Sequence, residues 1–171
     1  MAIGTTRLAH LALPNSELHV GFAFGDHPVS AKLMAGAALL FPGEGALDPT
    51  ALPAGPPRTL VFIDGTWSQA RKLLVANPAL AALPRIGLAP TQPSRYRIRR
   101  EPAAHCLSTV EAVVETLGRL ERDGARFLPV LRAFEYLVAT QIACAAEHSA
   151  PHWHRRPRRP GLTWVARRGR W

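Results

Sequence analysis

Cysteine is nearly absent. Cys106 and Cys144 are the two in 171 residues, which excludes a disulfide scaffold and any four-cysteine zinc site within this chain. Long apolar runs are missing as well: none approaches the roughly 20 residues that a membrane-spanning helix needs. Positions 1–20 carry Arg7, His10, Asn15, Glu17 and His19 with no signal-peptide core. A cytoplasmic protein with no membrane association is therefore expected. Lysine is confined to Lys32 and Lys72, and acid is scarce, with 12 Asp and Glu against 21 Lys and Arg. What remains is ordinary, 47% hydrophobic and 19% charged, a composition that buries a core and rules out a wholly disordered or collagen-like chain. At this length one domain is the default, and a monomer is the expectation.

The net charge of +9 is unevenly placed. Residues 151–171 hold Arg155, Arg156, Arg158, Arg159, Arg167, Arg168 and Arg170 and no acid. A second concentration is Arg85, Arg95, Arg97, Arg99 and Arg100, with no acid between Arg85 and Glu101. Clustered arginine displaces the counterions condensed on phosphates and offers bidentate donors, so a nucleic acid is the expected partner. Genome composition is the competing source of arginine excess, because alanine is abundant and lysine rare.

Short apolar runs organise the chain. The first 35 residues alternate polar and apolar and read as strand or turn. Ala37 to Phe41 reads as a buried strand stopped by Pro42-Gly43-Glu44-Gly45, and Leu60 to Ile63 as a second one ending at Asp64-Gly65. Thr66 to Val75 then forms a helix with Ala70, Leu73 and Leu74 inward and Pro78 ending it. Arg85 to Leu88 is a third strand, followed by a loop through Pro90, Pro93 and Pro102. Ser108-Thr109-Val110-Glu111 matches the capping box that opens a helix, with Val110, Val113, Val114, Leu117 and Leu120 at helical spacing. Phe127 to Glu147 is a longer helix whose apolar face is Leu131, Phe134, Leu137, Val138 and Ile142. Strands alternating with helices point to an α/β domain with a mostly parallel sheet flanked by helices. The division is a domain over 1–150 and a basic, Arg- and Trp-rich tail over 151–171 with no period.

Three features carry chemistry, each beside a plainer reading. Asp64 ends a buried strand, where open α/β sheets bind their ligands; the plainer role is the N-cap of the helix that follows, for which Thr66 also serves. Pro42-Gly43-Glu44 is another strand-end loop in which glycine permits close backbone approach, or a simple turn. Ser94-Arg95-Tyr96-Arg97-Ile98-Arg99-Arg100 interleaves cations with Tyr96 and Ile98, as phosphate contact with base stacking does, or as a solvated strand edge does. Cys144, His148, His152 and His154 resemble a metal set, but Pro151 breaks the helical spacing and no metal is expected. His10, His19, His27 and His105 are scattered. Trp153, Trp164 and Trp171 either stack on RNA bases or pack the tail onto the domain.

The strings LLFPGE, IDGTWSQARKLL, NPAL with the later LP, PSRYRIRREP and LSTVEA, in this order over about residues 37–145, resemble the DTW-domain family of tRNA-uridine aminocarboxypropyltransferases. The resemblance implies a fold related to the SPOUT class, with a C-terminal trefoil-knot cofactor site, and S-adenosylmethionine as co-substrate. It implies transfer of the 3-amino-3-carboxypropyl group to N3 of a uridine in tRNA. Carried over by position, the catalytic carboxylate falls on Asp64. The cofactor contacts fall on Pro42, Gly43, Glu44, Thr66, Trp67, Ser94, Tyr96, Arg99, Leu107, Ser108 and Thr109. RNA contacts are assigned to Arg71, Lys72, Arg95, Arg97, Arg100, Arg155, Arg156, Arg158 and Arg159. The family carries a cysteine-rich, zinc-binding segment ahead of this domain, and these residues hold no counterpart. Either Met1 is a late start in a longer gene, or the chain is a short variant whose RNA grip lies in the arginine-rich tail.

Uridine N3 bears a proton at neutral pH, so the implied reaction needs a proton acceptor, and Asp64 is the candidate. Arg99 and Glu44 are the charge partners for the carboxylate and ammonium of the transferred group. Two other functions remain open: a SPOUT-like RNA methyltransferase, and an RNA-binding module without catalysis.

Overall fold

The computed structural model of the chain describes residues 4–25, 36–53, 55–98, 106–147 and, as a backbone strand, 162–167. Five strands form one sheet in the order β1-β5-β3-β2-β4: β1 (Ser16–Val20), β2 (Ala37–Leu40), β3 (Thr59–Asp64), β4 (Arg85–Ile86) and β5 (Leu162–Arg167). β2 runs parallel to both β3 and β4, and β5 runs antiparallel to both β1 and β3. Four strands therefore share one direction and β5 opposes them. The helices are α1 (Thr5–Ala12), α2 (Trp67–Ala76), α3 (Pro78–Ala81), α4 (Thr109–Glu121) and α5 (Leu128–Glu147).

Strand alternation explains the layering. Successive side chains of a strand point to opposite faces, so Ala38, Leu60 and Phe62 join one core while Ala37, Leu39 and Val61 join the other. The first core is closed by α1, α4 and α5 through Ala9, Val110, Val113, Leu117, Phe134 and Val138. The second is closed by α2 and α3 through Leu73, Leu74 and Leu80. Both faces of β2 and β3 are covered, which is why these segments read as continuous apolar runs. A buried Asn77 joins α2 to the chain after β1: its amide donates to the carbonyls of Phe22 and Leu73, both at 2.7 Å, and accepts from the Phe24 N–H at 2.6 Å. It ends α2, and Pro78 then opens α3, so the proline that stops one helix starts the next.

The expected elements at 37–41, 60–63, 66–75, 85–88 and 108 onward are present, and the α/β class holds. Three features differ. The opening region, read as strand or turn, begins with helix α1, which buries Thr6 and Ala9 and packs Leu8 on the first core. The segment read as a basic tail without period, with a terminal strand through Leu162, Trp164 and Val165 as the alternative, contains β5; its LTWVAR sequence is rich in the β-branched and aromatic residues that suit a strand. In α5 the core face is offset from the expected one: Val130 turns inward and Ile142 stays 40% exposed. Residues Ala125–Ala146, including the turn before α5, are long and apolar enough by length and composition to cross a membrane. That departs from the expectation of no such run. Phe127, Val130, Phe134 and Val138 of this stretch pack into the first core.

The place of β5 generates a prediction. A chain ending at Ala150 strips β1 of its strand partner and opens the edge of β3. Its melting midpoint by circular dichroism is expected to fall by about 10 °C or more, the equivalent of several kcal/mol at this size. An unchanged midpoint would contradict the pairing.

Candidate active site

The three parallel strands end side by side, and the chain that leaves each one forms a wall of a single cleft of about 260 Å³. Phe41 and Pro42 follow β2, Gly65 and Trp67 follow β3, and Leu88 and Pro90 follow β4. The fourth wall is the entry to α4, with Cys106, Leu107 and Thr109. This is the carboxyl edge of the sheet, where open α/β folds bind ligands. The N-termini of α2 and α4 both begin at the cleft, at Trp67 and Thr109, and bring their unpaired N–H groups and positive dipole ends with them.

Asp64 lies between the lining residues Ile63 and Gly65 and is half-buried. The cap of α2 is Thr66, not Asp64: the Gln69 N–H donates to Thr66 Oγ1 at 3.2 Å and the Thr66 N–H donates to Gln69 Oε1 at 2.8 Å. Relieved of capping, the carboxylate accepts instead from Thr109, whose hydroxyl donates to Asp64 Oδ1 at 2.6 Å. Oδ2 has no hydrogen-bond partner among the described residues. Gly65 has φ +151°, and a Cβ there would stand 3.2 Å from Gln69 Oε1, so glycine leaves room for the capping pair.

Aromatic rings and one cation edge the cleft. Trp67, 43% exposed, meets Phe41 edge-on with centroids 5.7 Å apart. The Arg85 guanidinium lies 5.6 Å from the Phe41 centroid on the other side. Gly43 has φ +155°, and a Cβ there would come within 2.6 Å of Arg85 Nη1. Glu44 is exposed in the turn beyond. Phe41 and Arg85 were not singled out by motif reading. Phe41 directly follows β2, and Arg85 opens the two-residue β4 opposite Leu39, so position beside the strand ends is their signal.

A second set of contacts fixes the loop that carries the basic cluster. The buried Glu111 carboxylate accepts from the Ser108 N–H at 2.8 Å and the Ser108 hydroxyl at 2.6 Å, the acidic half of the expected capping box. It also accepts from the Ser94 hydroxyl at 2.8 Å and the Arg95 N–H at 2.5 Å. Ser94 therefore sits on Glu111, and the Tyr96 ring packs on Phe134 at 5.4 Å; neither lines the cleft. Arg95 pairs with Glu135, and Arg97 is exposed. Arg119 clamps the loops after β2 and β4 to α4, donating to Asp48 at 2.9 Å, to the Ala89 carbonyl and to Glu115. Hydrogen bonds from Thr50, with help from Arg119, hold the Asp48 carboxyl below the usual carboxylate range.

Of the expected contacts, Pro42, Trp67, Leu107 and Thr109 meet at one cleft; Gly43 and Thr66 adjoin it, and Ser108 caps α4 behind it. Arg71 and Lys72 are exposed on α2, with no ion pair among the described residues. Arg99, Arg100, Arg155, Arg156, Arg158 and Arg159 lie outside the described residues, as do His148, His152 and His154, while Cys144 is exposed.

The DTW domain family matches residues 2–142. The chain belongs to that family. Curated proteins named tRNA-uridine aminocarboxypropyltransferase 2 match this DTW domain in three animals. The one from Macaca fascicularis is 32% identical over 126 residues, which is 66% of this chain and 41% of that protein. The one from Mus musculus is 32% identical over 119 residues, 66% of this chain and 39% of that protein. The one from Drosophila melanogaster is 41% identical over 95 residues, 55% of this chain and 38% of that protein. The chain thus spans about two fifths of the length of these relatives. No solved structure matches it.

The Thr109 contact predicts a stability effect. Thr109→Val removes a half-buried hydrogen bond to a carboxylate and is expected to cost about 1–2 kcal/mol in urea unfolding, whereas Thr109→Ser retains most of it. Equal stability of the valine variant and the wild type would contradict the bond.

Proposed function

We propose that this DTW domain transfers the 3-amino-3-carboxypropyl group of S-adenosylmethionine to N3 of a uridine in tRNA, in the cytoplasm. The observation that carries the reading is Asp64: a strand-end carboxylate beside the cleft, released from capping by Thr66 and oriented by Thr109, in the motif that names the family. The relatives' names support the reaction class. A SPOUT-like arrangement, with the knotted cofactor site of that class, is part of the same proposal. Its support is a cleft shared by three parallel strand ends and the segment that enters α4.

The lining fits the co-substrate. Leu40, Ile63, Ile86, Leu88 and Leu107 make an apolar bed for a base. The exposed ring of Trp67 attracts a cation such as a sulfonium. Arg85, whose guanidinium lies over the Phe41 ring, is the described cation placed to receive a carboxylate, the role that charge alone suggests for Arg99. Bound S-adenosylmethionine supplies an electrophilic methylene on a positively charged sulfur.

The chain's own task is to prepare the uridine. Asp64 takes the N3 proton through Oδ2 while the Thr109 hydroxyl holds Oδ1, so the acceptor lone pair keeps its direction as the charge changes. Arg71 and Lys72, exposed on the helix that starts at Trp67, supply charge for phosphates of the RNA.

Asp64→Asn tests this. Asparagine still accepts from Thr109 and no cap is lost, so the melting midpoint should hold. Transfer should fall by about 10²–10⁴ with loss of the base. Mass spectrometry of tRNA nucleosides reads the product: the aminocarboxypropyl group adds about 101 Da, and a methyl group about 14 Da, to a uridine held for one reaction or the other. A gain of 14 Da identifies a methyltransferase; no gain with intact tRNA binding identifies a binding module; near-wild-type turnover in Asp64→Asn removes Asp64 from the role.

A further inference from the structure

Tyr136 has no core task. It is 72% exposed, far more than Trp67 at 43%, and stands on the outer face of α5 one helical turn after the exposed Arg132. Across from them the loop before residue 98 presents Arg97, and all three border one open concavity of about 710 Å³. The other charges there cancel, because Arg95 and Glu135 are bound to each other. Arg97 and Arg132 have no ion pair among the described residues, so the concavity is cationic around an uncovered ring.

This concavity and the cleft are both neighbours of one trough. A trough of about 400 Å³ along α4 shares Leu107 with the cleft, and shares Gln92, Pro93 and Arg95 with the Tyr136 concavity. The acids that border the trough are engaged: Glu111 holds Ser94, Ser108 and Arg95, and Glu115 pairs with Arg119. Among the described residues, the carboxylates that border the trough and the Tyr136 concavity are therefore all engaged, and a polyanion lying there meets none that is unpaired.

We propose that Tyr136, flanked by Arg97 and Arg132, is a stacking platform for an unpaired nucleotide of the RNA whose target base enters the cleft. An exposed ring accepts any base by its π-face, and arginines on either side receive the phosphates that precede and follow it. Phosphate alone has no use for the ring, and an apolar protein partner has none for the two cations. The inference rests on RNA being the substrate of the proposed transfer, and names where nucleotides beyond the target lie.

The test is tRNA binding by the full chain, with a salt series, for the wild type, Tyr136→Ala, Tyr136→Phe and Arg132→Gln, with a melting curve for each. Tyr136→Ala should weaken binding about ten-fold and Tyr136→Phe by less than about two-fold, since stacking needs the ring and not the hydroxyl. Arg132→Gln should lower the slope of log affinity against log salt by about 0.7, one single-strand phosphate contact. Melting midpoints should not move. Wild-type affinity in Tyr136→Ala, an equal loss in Tyr136→Phe, or a large drop in the midpoint of Tyr136→Ala would each overturn the platform. A wild type that binds tRNA with the expected ring and salt dependence but adds no 101 Da group overturns the transfer reading alone.

Discussion

A hydrogen bond across 45 residues of sequence, from the Thr109 hydroxyl to the Asp64 carboxylate, ties the end of β3 to the start of α4, and the cleft exists between the two ends it joins. Core packing of α4 on β3 through Val110, Val113, Leu60 and Phe62 holds the two elements together, and the tie fixes the direction of the carboxylate between them. The neighbouring Glu111 repeats the arrangement one step further out, with one carboxylate serving both the Ser108 cap and the Ser94-Arg95 loop. Arg119 completes it by fastening the loops after β2 and β4 to the same helix. The first three turns of α4 thus organise every loop around the cleft. Helix dipole, capping and site geometry are consequences of one another here.

The elements with strong local signals were readable from the sequence. Leu39 and Val61 are in runs apolar on both faces because helices cover both sides of β2 and β3. Ser108 and Glu111 announced α4 by their spacing. What the local pattern leaves open depends on long-range pairing. α1 spans eight residues, about two turns, too few for its period to stand apart from the strand that follows. β5 becomes a strand because it lies between β1 and β3, a partnership no local window contains.

The site was legible in its residues more than in its wiring. Local sequence singles out Asp64, Trp67 and Thr109 but leaves both Asp64 and Thr66 as caps of α2; the Thr66–Gln69 pair decides for Thr66. Ser94 and Tyr96 lie close in sequence to the basic cluster yet turn away from the cleft, Ser94 to Glu111 and Tyr96 to Phe134. Strand-like alternation in the loop explains this: with Tyr96 and Ile98 packed on the first core, Arg95 and Arg97 are left outward. Arginine and aromatic side chains interleaved in one string therefore divide between core and surface, and the ring left free beside the arginines is Tyr136, from a different element.

If Thr109 acts on the reaction only by directing Asp64, the two side chains form one functional unit, and their effects on rate cannot multiply. The decisive measurement is a double-mutant cycle on the transfer rate with Asp64→Asn, Thr109→Val and both together. The account predicts that adding Thr109→Val to Asp64→Asn changes the rate by less than about two-fold, although Thr109→Val alone slows the wild type about ten-fold or more. Losses that multiply across the cycle would contradict it, and would place the work of Thr109 elsewhere than on Asp64.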